Sequence, residues 1–250
     1  MHVRGSTALV TGANRGIGKA FVEGLLAAGA KKVYACARKP ENVSTRGSVP
    51  TRLDIIKRDE VALVAQTCGD VNLLINNAGI GTTGIGAVSP LIGASDPDDA
   101  RAVMETNYFG TLNMCRAFAP ILKSNGGGAL VNILSVASWS TPAFIGAYSA
   151  SKTAALALTR AARIELRSQG TLVIGVYAGF VDTEMARPFN VPKVPPEEIV
   201  TAVLAGIDNG SEEVLADDRA RQIATDFVAQ SRILEQQHQK AWDQLHARRD

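Results

Sequence analysis

Ser135, Tyr148 and Lys152 are the residues whose types and spacing could do chemistry. Tyr148 and Lys152 stand four apart, so on a helix they share a face one turn apart. A lysine beside a phenol favours the phenolate, so Lys152 is expected to lower the Tyr148 pKa toward working pH. That would make Tyr148 a general acid/base. A hydroxyl from Ser135 could bind a carbonyl oxygen while Tyr148 protonates it. Ser138 is a rival for that role, standing only ten residues before Tyr148.

A second motif lies near the other end, Thr11-Gly12-Ala13-Asn14-Arg15-Gly16-Ile17-Gly18. It follows the apolar run Thr7–Val10, which reads as a buried parallel strand. It precedes a segment in which Phe21, Val22, Leu25 and Leu26 give a helical apolar face. A glycine-rich turn of this kind brings backbone N–H groups and a helix N-terminus against a phosphate. Its G-x-x-x-G-x-G spacing is looser than the G-x-G-x-x-G dinucleotide fingerprint.

The elements that must hold these residues alternate along the chain. Strands are predicted near 6–11, 32–37, 50–54, 72–76, 129–134, 171–177 and 213–216. Helices are predicted near 16–29, 58–68, 98–124, 148–168, 196–209 and 217–245. The alternation predicts one α/β domain over 1–250, a Rossmann-type doubly wound parallel sheet with helices on both faces. Only a loop or a single helical turn fits between Arg38 and Val49. Along the last helix, Ile223, Phe227, Leu234, Trp242 and Leu245 would pack on the body or on a partner chain.

Composition narrows the chemistry. The chain has 250 residues, 46% hydrophobic and 20% charged, as expected for a soluble globular protein. A net charge of +2 without a basic block gives nucleic acid no electrostatic hold. No apolar run approaches the ~18 residues of a membrane span, and Met1–Ser6 shows no apolar leader. Cys36, Cys68 and Cys115 are scattered and odd in number, which suits a reducing cytoplasm. The three histidines, His2, His238 and His246, lie at the chain ends. A Ser-His-Asp hydrolase or a zinc site therefore has no support.

With the glycine turn and the Ser/Tyr/Lys set in this order, the chain resembles the short-chain dehydrogenase/reductase family. Asn76-Asn77-Ala78-Gly79, after the strand Val71–Ile75, is similar to the family's N-N-A-G motif. Asn107 matches the helix asparagine of its catalytic tetrad, and Asp54 matches an aspartate that meets the adenine amino group. The resemblance covers about residues 6–185. It implies hydride transfer between a nicotinamide cofactor and a carbonyl/alcohol pair, in the manner of carbonyl reductases and alcohol dehydrogenases. By resemblance, Tyr148 moves the proton, Ser135 binds the substrate oxygen, Lys152 holds the nicotinamide ribose, and Asn107 holds a water linking Lys152 to solvent. The implied cofactor contacts are Gly12, Asn14, Arg15, Gly16, Ile17, Gly18, Asp54, Asn77, Ala78, Gly79, Tyr148, Lys152, Gly179, Val181 and Thr183. The chain departs from the family in carrying Ala178 where proline usually precedes Gly179.

The acidic residue that would take a 2′-hydroxyl is expected about 20 residues past the glycine turn. Arg38 stands there, with Arg15 inside the turn. Arginine can pair with a 2′-phosphate, so NADP(H) is expected. A short lid at about 184–195, stiffened by Pro188 and Pro192, and apolar Trp139, Phe144, Ile145, Phe180, Met185 and Phe189 point to a hydrophobic ketone or secondary alcohol. The alternatives are a 3-oxoacyl thioester reductase, an isomerase or dehydratase using the same residues, and a non-catalytic nucleotide sensor. The long helices at 98–124 and 148–168 match those of the family's dimer. A helical extension at about 217–250, in place of the usual tail, leaves a tetramer in doubt.

Overall fold

The computed structural model describes residues 1–81, 91–94 and 98–229, with Gln237 and Lys240 beyond them. Seven strands form one sheet: β1 (Thr7–Thr11), β2 (Lys32–Ala37), β3 (Val49–Arg52), β4 (Leu73–Asn76), β5 (Ala129–Ile133), β6 (Leu172–Tyr177) and β7 (Glu213–Leu215). Their order is β3-β2-β1-β4-β5-β6-β7, and each neighbouring pair is parallel. The helices are α1 (Gly16–Ala27), α2 (Arg58–Thr67), α3 (Asp98–Met104), α4 (Thr111–Ser124), α5 (Gly146–Leu166), α6 (Pro196–Asn209) and α7 (Asp218–Ala229).

The central strands β1, β4, β5 and β6 read as largely apolar runs because both faces of the sheet are covered there, whereas the edge strand β3, Val-Pro-Thr-Arg, is mostly exposed. Side chains alternate between the two layers. Ala8 and Val10 of β1 join Phe21, Val22 and Leu25 of α1 and Ile199, Val203 and Ile207 of α6. Leu9 turns the other way, to Val61 and Val64 of α2 and Met114, Phe118 and Leu122 of α4. Each such large apolar side chain contributes about 1.5–3 kcal/mol by leaving water. Helices α1 and α6 approach closely because residue 24 is glycine; a Cβ there would lie 2.5 Å from Val200 Cγ1. Between β2 and β3 there is a single 3₁₀ turn, Pro40–Asn42, as the short spacing predicted.

The helix predicted over 98–124 is not continuous. A π-helical segment, Glu105–Gly110, separates α3 from α4. Within it, the Asn107 side chain is drawn onto the backbone of Ile80. Gly110 meets Ile55 so closely that a Cβ would lie 2.6 Å from its Cδ1. A local widening of this kind re-aims one residue, and such segments concentrate at functional sites. The final predicted helix is described to Ala229, so Leu234, Trp242 and Leu245 lie outside the described residues.

Strand order reverses between β1 and β4, where the chain runs to β2 on one side and β4 on the other. The loops at the carboxyl ends of these two strands border a crevice, the usual ligand position in such sheets. Both sequence motifs with glycine, 12–18 and 76–79, lie there.

Candidate active site

The glycine turn and the loop after β4 are joined into one piece. Thr11 Oγ1 accepts the N–H groups of Asn77 and Ala78, each at 3.0 Å. Asn77 Nδ2 donates back to Thr11 O at 2.9 Å and Gly12 O at 3.3 Å. Gly12 adopts φ +66°, and a Cβ on Gly18 would sit 2.1 Å from Gly12 O. No other residue fits at 18 without moving the turn. The first bond of α1 runs from Lys19 N to Arg15 O, and no side chain caps the helix. The N–H groups of its first turn are thus free for a phosphate. Arg15 and Arg38 are both exposed at this edge. These features fit a dinucleotide phosphate.

Arg15 also forms an ion pair with Glu184 at the start of the lid, and Thr183 packs against Gly16. The lid is closed at its base. Val181 bridges Val194, Asp182 N donates to Val194 O, and Val194 N donates to Phe180 O. Asp54 lies in the turn after β3, where its Oδ1 accepts Ile56 N at 3.3 Å. Asn14 and Gly79 flank the same crevice; a Cβ on Gly79 would meet Asn107 Oδ1 at 3.1 Å and Lys152 Nζ at 3.7 Å.

Helix α5 and the loop after β5 bring the proton-handling residues together. Ser135 caps the turn Val136–Ser138 by accepting Ala137 N at 3.1 Å, and its hydroxyl donates to Ala178 O at 3.4 Å. The Ser135 hydroxyl lies beside the Tyr148 phenol and lowers its pKa. Ser138 is buried with no hydrogen-bond partner for its hydroxyl among the described residues. Ser135, not its rival, therefore faces the phenol. Lys152 is buried, its Nζ donating to Ile133 O at 2.8 Å and standing 5.7 Å from the Tyr148 ring centroid. Burial pulls the Lys152 ammonium down to about 8.

The Tyr148 phenol is shifted up, not down toward working pH as the spacing to Lys152 predicts. Protein packs closely enough around this half-buried residue for desolvation to push its phenol above the ordinary value. The nearby Ser135 hydroxyl offsets part of that rise, and Lys152 bonds a backbone carbonyl instead of the phenol. The tyrosine in this state is a neutral proton donor. Asn107 likewise spends its side chain on protein: Oδ1 accepts Ile80 N at 2.8 Å, and Nδ2 donates to Ile80 O and Ser151 Oγ, each at 2.9 Å. It therefore ties the loop after β4 to the helix that carries Tyr148.

A scan against family models matches residues 6–193 to the short chain dehydrogenase family. The chain belongs to that family. Short-chain dehydrogenases are oxidoreductases that use nicotinamide cofactors. A short-chain dehydrogenase of Penicillium ochrochloron is 33% identical over 220 residues, 83% of this chain and 78% of that one. A 1-deoxy-11-beta-hydroxypentalenate dehydrogenase of Streptomyces avermitilis is 32% identical over 206 residues, 77% of this chain and 75% of its own length. Among solved structures, a short-chain dehydrogenase from Burkholderia cenocepacia in complex with NADP superposes with a TM-score of 0.90 at 44% identity. It covers 95% of this chain and 99% of that one. No helix among the described residues is long and apolar enough to cross a membrane, and no metal-binding cluster occurs among them.

The apolar residues predicted to line the substrate side divide into two groups. Phe189 lies 6.1 Å from Phe144 and 5.2 Å from Phe180, ring to ring, and Met185 faces Gly81. Trp139 belongs elsewhere. Its ring stacks on buried Tyr177 at 3.8 Å and faces Phe227 of α7 at 6.3 Å, so it fastens the C-terminal helix. Sequence reasoning missed three residues near the site: Thr11, whose hydroxyl joins the two loops, Arg52, which donates to Arg38 O at 3.3 Å, and Asp217. Asp217 is buried, and accepts Gly179 N and Ala220 N, each at 2.7 Å. Thr11 heads the glycine motif, but its hydroxyl gains its partners only when the fold brings the loop after β4 to it, and no local spacing marks Arg52 or Asp217.

Proposed function

We propose that this short-chain dehydrogenase is an NADP(H)-dependent carbonyl reductase or alcohol dehydrogenase acting on hydrophobic ketones and secondary alcohols. The observation that carries the proposal is the grouping of Ser135 and Tyr148 beside buried Lys152, whose Nζ lies 5.7 Å from the Tyr148 ring centroid, next to the turn with free helix N–H groups. Bound NADPH supplies a hydride to the carbonyl carbon. Ser135 donates a hydrogen bond to the carbonyl oxygen and holds it at the phenol. Negative charge grows on that oxygen as the carbonyl is reduced, and the hydrogen bond strengthens with it. Tyr148 passes its proton to the same oxygen, completing the alcohol. In oxidation the proton returns to Tyr148. Lys152 would hold the ribose hydroxyls of the cofactor, and its charge favours the phenolate that is left.

Cofactor choice rests on Arg38 and Arg15, with no acid at the end of β2, and on the NADP bound by the similar Burkholderia protein. The apolar Phe144–Phe189–Phe180 cluster favours an apolar substrate body. Retention of both Tyr148 and Lys152 argues against a pure sensor. The enzyme would be cytoplasmic and dimeric. Its three thiols are all free and buried, and α5 and the π-helical segment expose Ile164 and Phe109.

The test follows NADPH and NADH absorbance at 340 nm with ketones from acetone through cyclohexanone to bulky aryl ketones, and with acetoacetyl thioesters. Bulky ketones with NADPH should give the highest kcat/KM. Tyr148→Phe should lower turnover about 100- to 10,000-fold while NADPH still binds. A preference for NADH, acetone or thioesters, or an active Tyr148→Phe, would overturn the reading.

A further inference from the structure

We propose that Arg219, at the start of α7, recognises an anionic group on the far end of the substrate, so that the substrate is an apolar ketone bearing a carboxylate. The inference rests on the hydride-transfer reading above and names the substrate class of that site.

The placement of Arg219 follows from Asp217. That buried carboxylate gives one oxygen to Gly179 N and the other to Ala220 N. It thereby pins the first turn of α7 onto the loop that leaves β6. Arg219 is carried directly over this loop. A Cβ on Gly179 would lie 2.8 Å from Arg219 Cδ and 3.1 Å from its Cβ. Only glycine leaves room for the arginine stem there. The preceding residue, Ala178, accepts the Ser135 hydroxyl. The arginine stem therefore rests one residue, about 3.8 Å of chain, from the carbonyl that orients the catalytic serine.

The guanidinium is uncompensated by any acid among the described residues. Its Cζ lies 5.4 Å from the centroid of the Phe180 ring, within cation–π range. Phe180 is also the ring that packs on Phe189, which in turn faces Phe144. An aromatic strip thus ends in a cation. The acids adjacent in sequence are both engaged: Asp217 with backbone, and Asp218 with Arg221 at 2.7 Å. No carboxylate of the described residues pairs with Arg219, although it is exposed. By contrast, Arg187 and Arg15 of the lid and glycine turn both share Glu184. A planar, always-charged guanidinium with free donors suits a carboxylate in bidentate geometry.

The experiment compares 4-acetylbenzoate with its methyl ester, a neutral ketone of nearly the same shape. Both are assayed with NADPH on the full chain, on Arg219→Gln and on Arg219→Lys. The unmodified enzyme should favour the carboxylate in kcat/KM by about tenfold or more, the usual scale for a charged hydrogen bond. Arg219→Gln should collapse that ratio, and Arg219→Lys should restore part of it. Calorimetry on the NADP⁺-bound protein measures the affinity of the two compounds without turnover. If neither ketone is reduced, the hydride-transfer reading fails, while the binding ratio still tests Arg219. Equal affinities for acid and ester, or a ratio that Arg219→Gln leaves unchanged, would overturn the assignment.

Discussion

Lys152 holds an ammonium group where its surroundings favour an amine. Buried, it titrates at about 8, against an ordinary value of 10.5. Below pH 8 the lysine is protonated in both the folded and unfolded chain, and the fold bears the whole cost of the buried charge. Between about 8 and 10.5 the folded chain has released the proton and the unfolded chain has not, so stability rises with pH across that window. Lys152→Met should therefore be the more stable protein at pH 7, by about 1–3 kcal/mol after loss of the bond to Ile133 O. Urea midpoints should show this advantage shrinking from pH 8 to 10.5, while oxidoreductase activity is lost throughout. An unchanged midpoint at pH 7 would contradict the placement of the charge. Arg38 carries a simpler expectation. Arg38→Asp places a carboxylate where a 2′-phosphate would sit, and should shift the NADPH/NADH preference toward NADH, read as the ratio of kcat/KM values. The Ser135, Tyr148 and Lys152 set was legible in the sequence because one loop and one helix hold all three. The protonation of Tyr148 was not, because desolvation depends on side chains that arrive from distant segments.

At the scale of elements, two departures from the sequence reading have local causes. The π-helical segment has no periodic signature, since Asn107 and Gly110 are re-aimed by Ile80 and Ile55, which belong to other parts of the chain. The Ala178-Gly179 pair lacks the family's usual proline, and the stiffness comes instead from Asp217, some forty residues on in sequence. Asp217→Asn keeps one acceptor oxygen and loses the other, so one of two buried N–H groups goes unpaired. The expected cost is about 1–3 kcal/mol in urea unfolding. Because Gly179, Val181 and Thr183 lie on the released loop, the KM for NADPH should rise several-fold as well. Asp218→Asn, altering an exposed ion pair, should stay within about 0.5 kcal/mol. Equal effects from the two variants would mean that the pinned loop matters neither to the fold nor to the cofactor.

For the whole molecule, alternating strand and helix patterns were enough to place all seven strands; the central ones are marked by the apolar runs that a sheet covered on both faces demands, while the mostly exposed β3 carries no such run. Strand order was less legible: β1 pairs with β4 through Ala8↔Leu73, Leu9↔Leu74 and Val10↔Ile75, a choice made by packing. Assembly is legible only as exposed apolar surface. Ile164 of α5 is 76% exposed and Phe109 of the π-helical segment 43%. If these cover each other's counterparts in a dimer, Ile164→Glu should bury a charge there. Light scattering should then find a monomer where the unmodified chain gives twice that mass. A dimer of unchanged mass at micromolar concentration would move the interface elsewhere.

All three thiols fall in a single layer. Cys36, Cys68 and Cys115 belong to the apolar cluster under α2 and α4, and the layer under α1 and α6 contains none. Burial raises each thiol pKa, that of Cys115 to about 12, so each is shielded sterically and also poor in reactive thiolate. An alkylating reagent added to the native protein therefore waits for one side of the sheet to open and ignores the other. Nature has built an asymmetric chemical clock into this molecule: the rate of alkylation times the breathing of the α2/α4 side alone, and its gap from the global unfolding rate measures how independently the two sides of one sheet come apart.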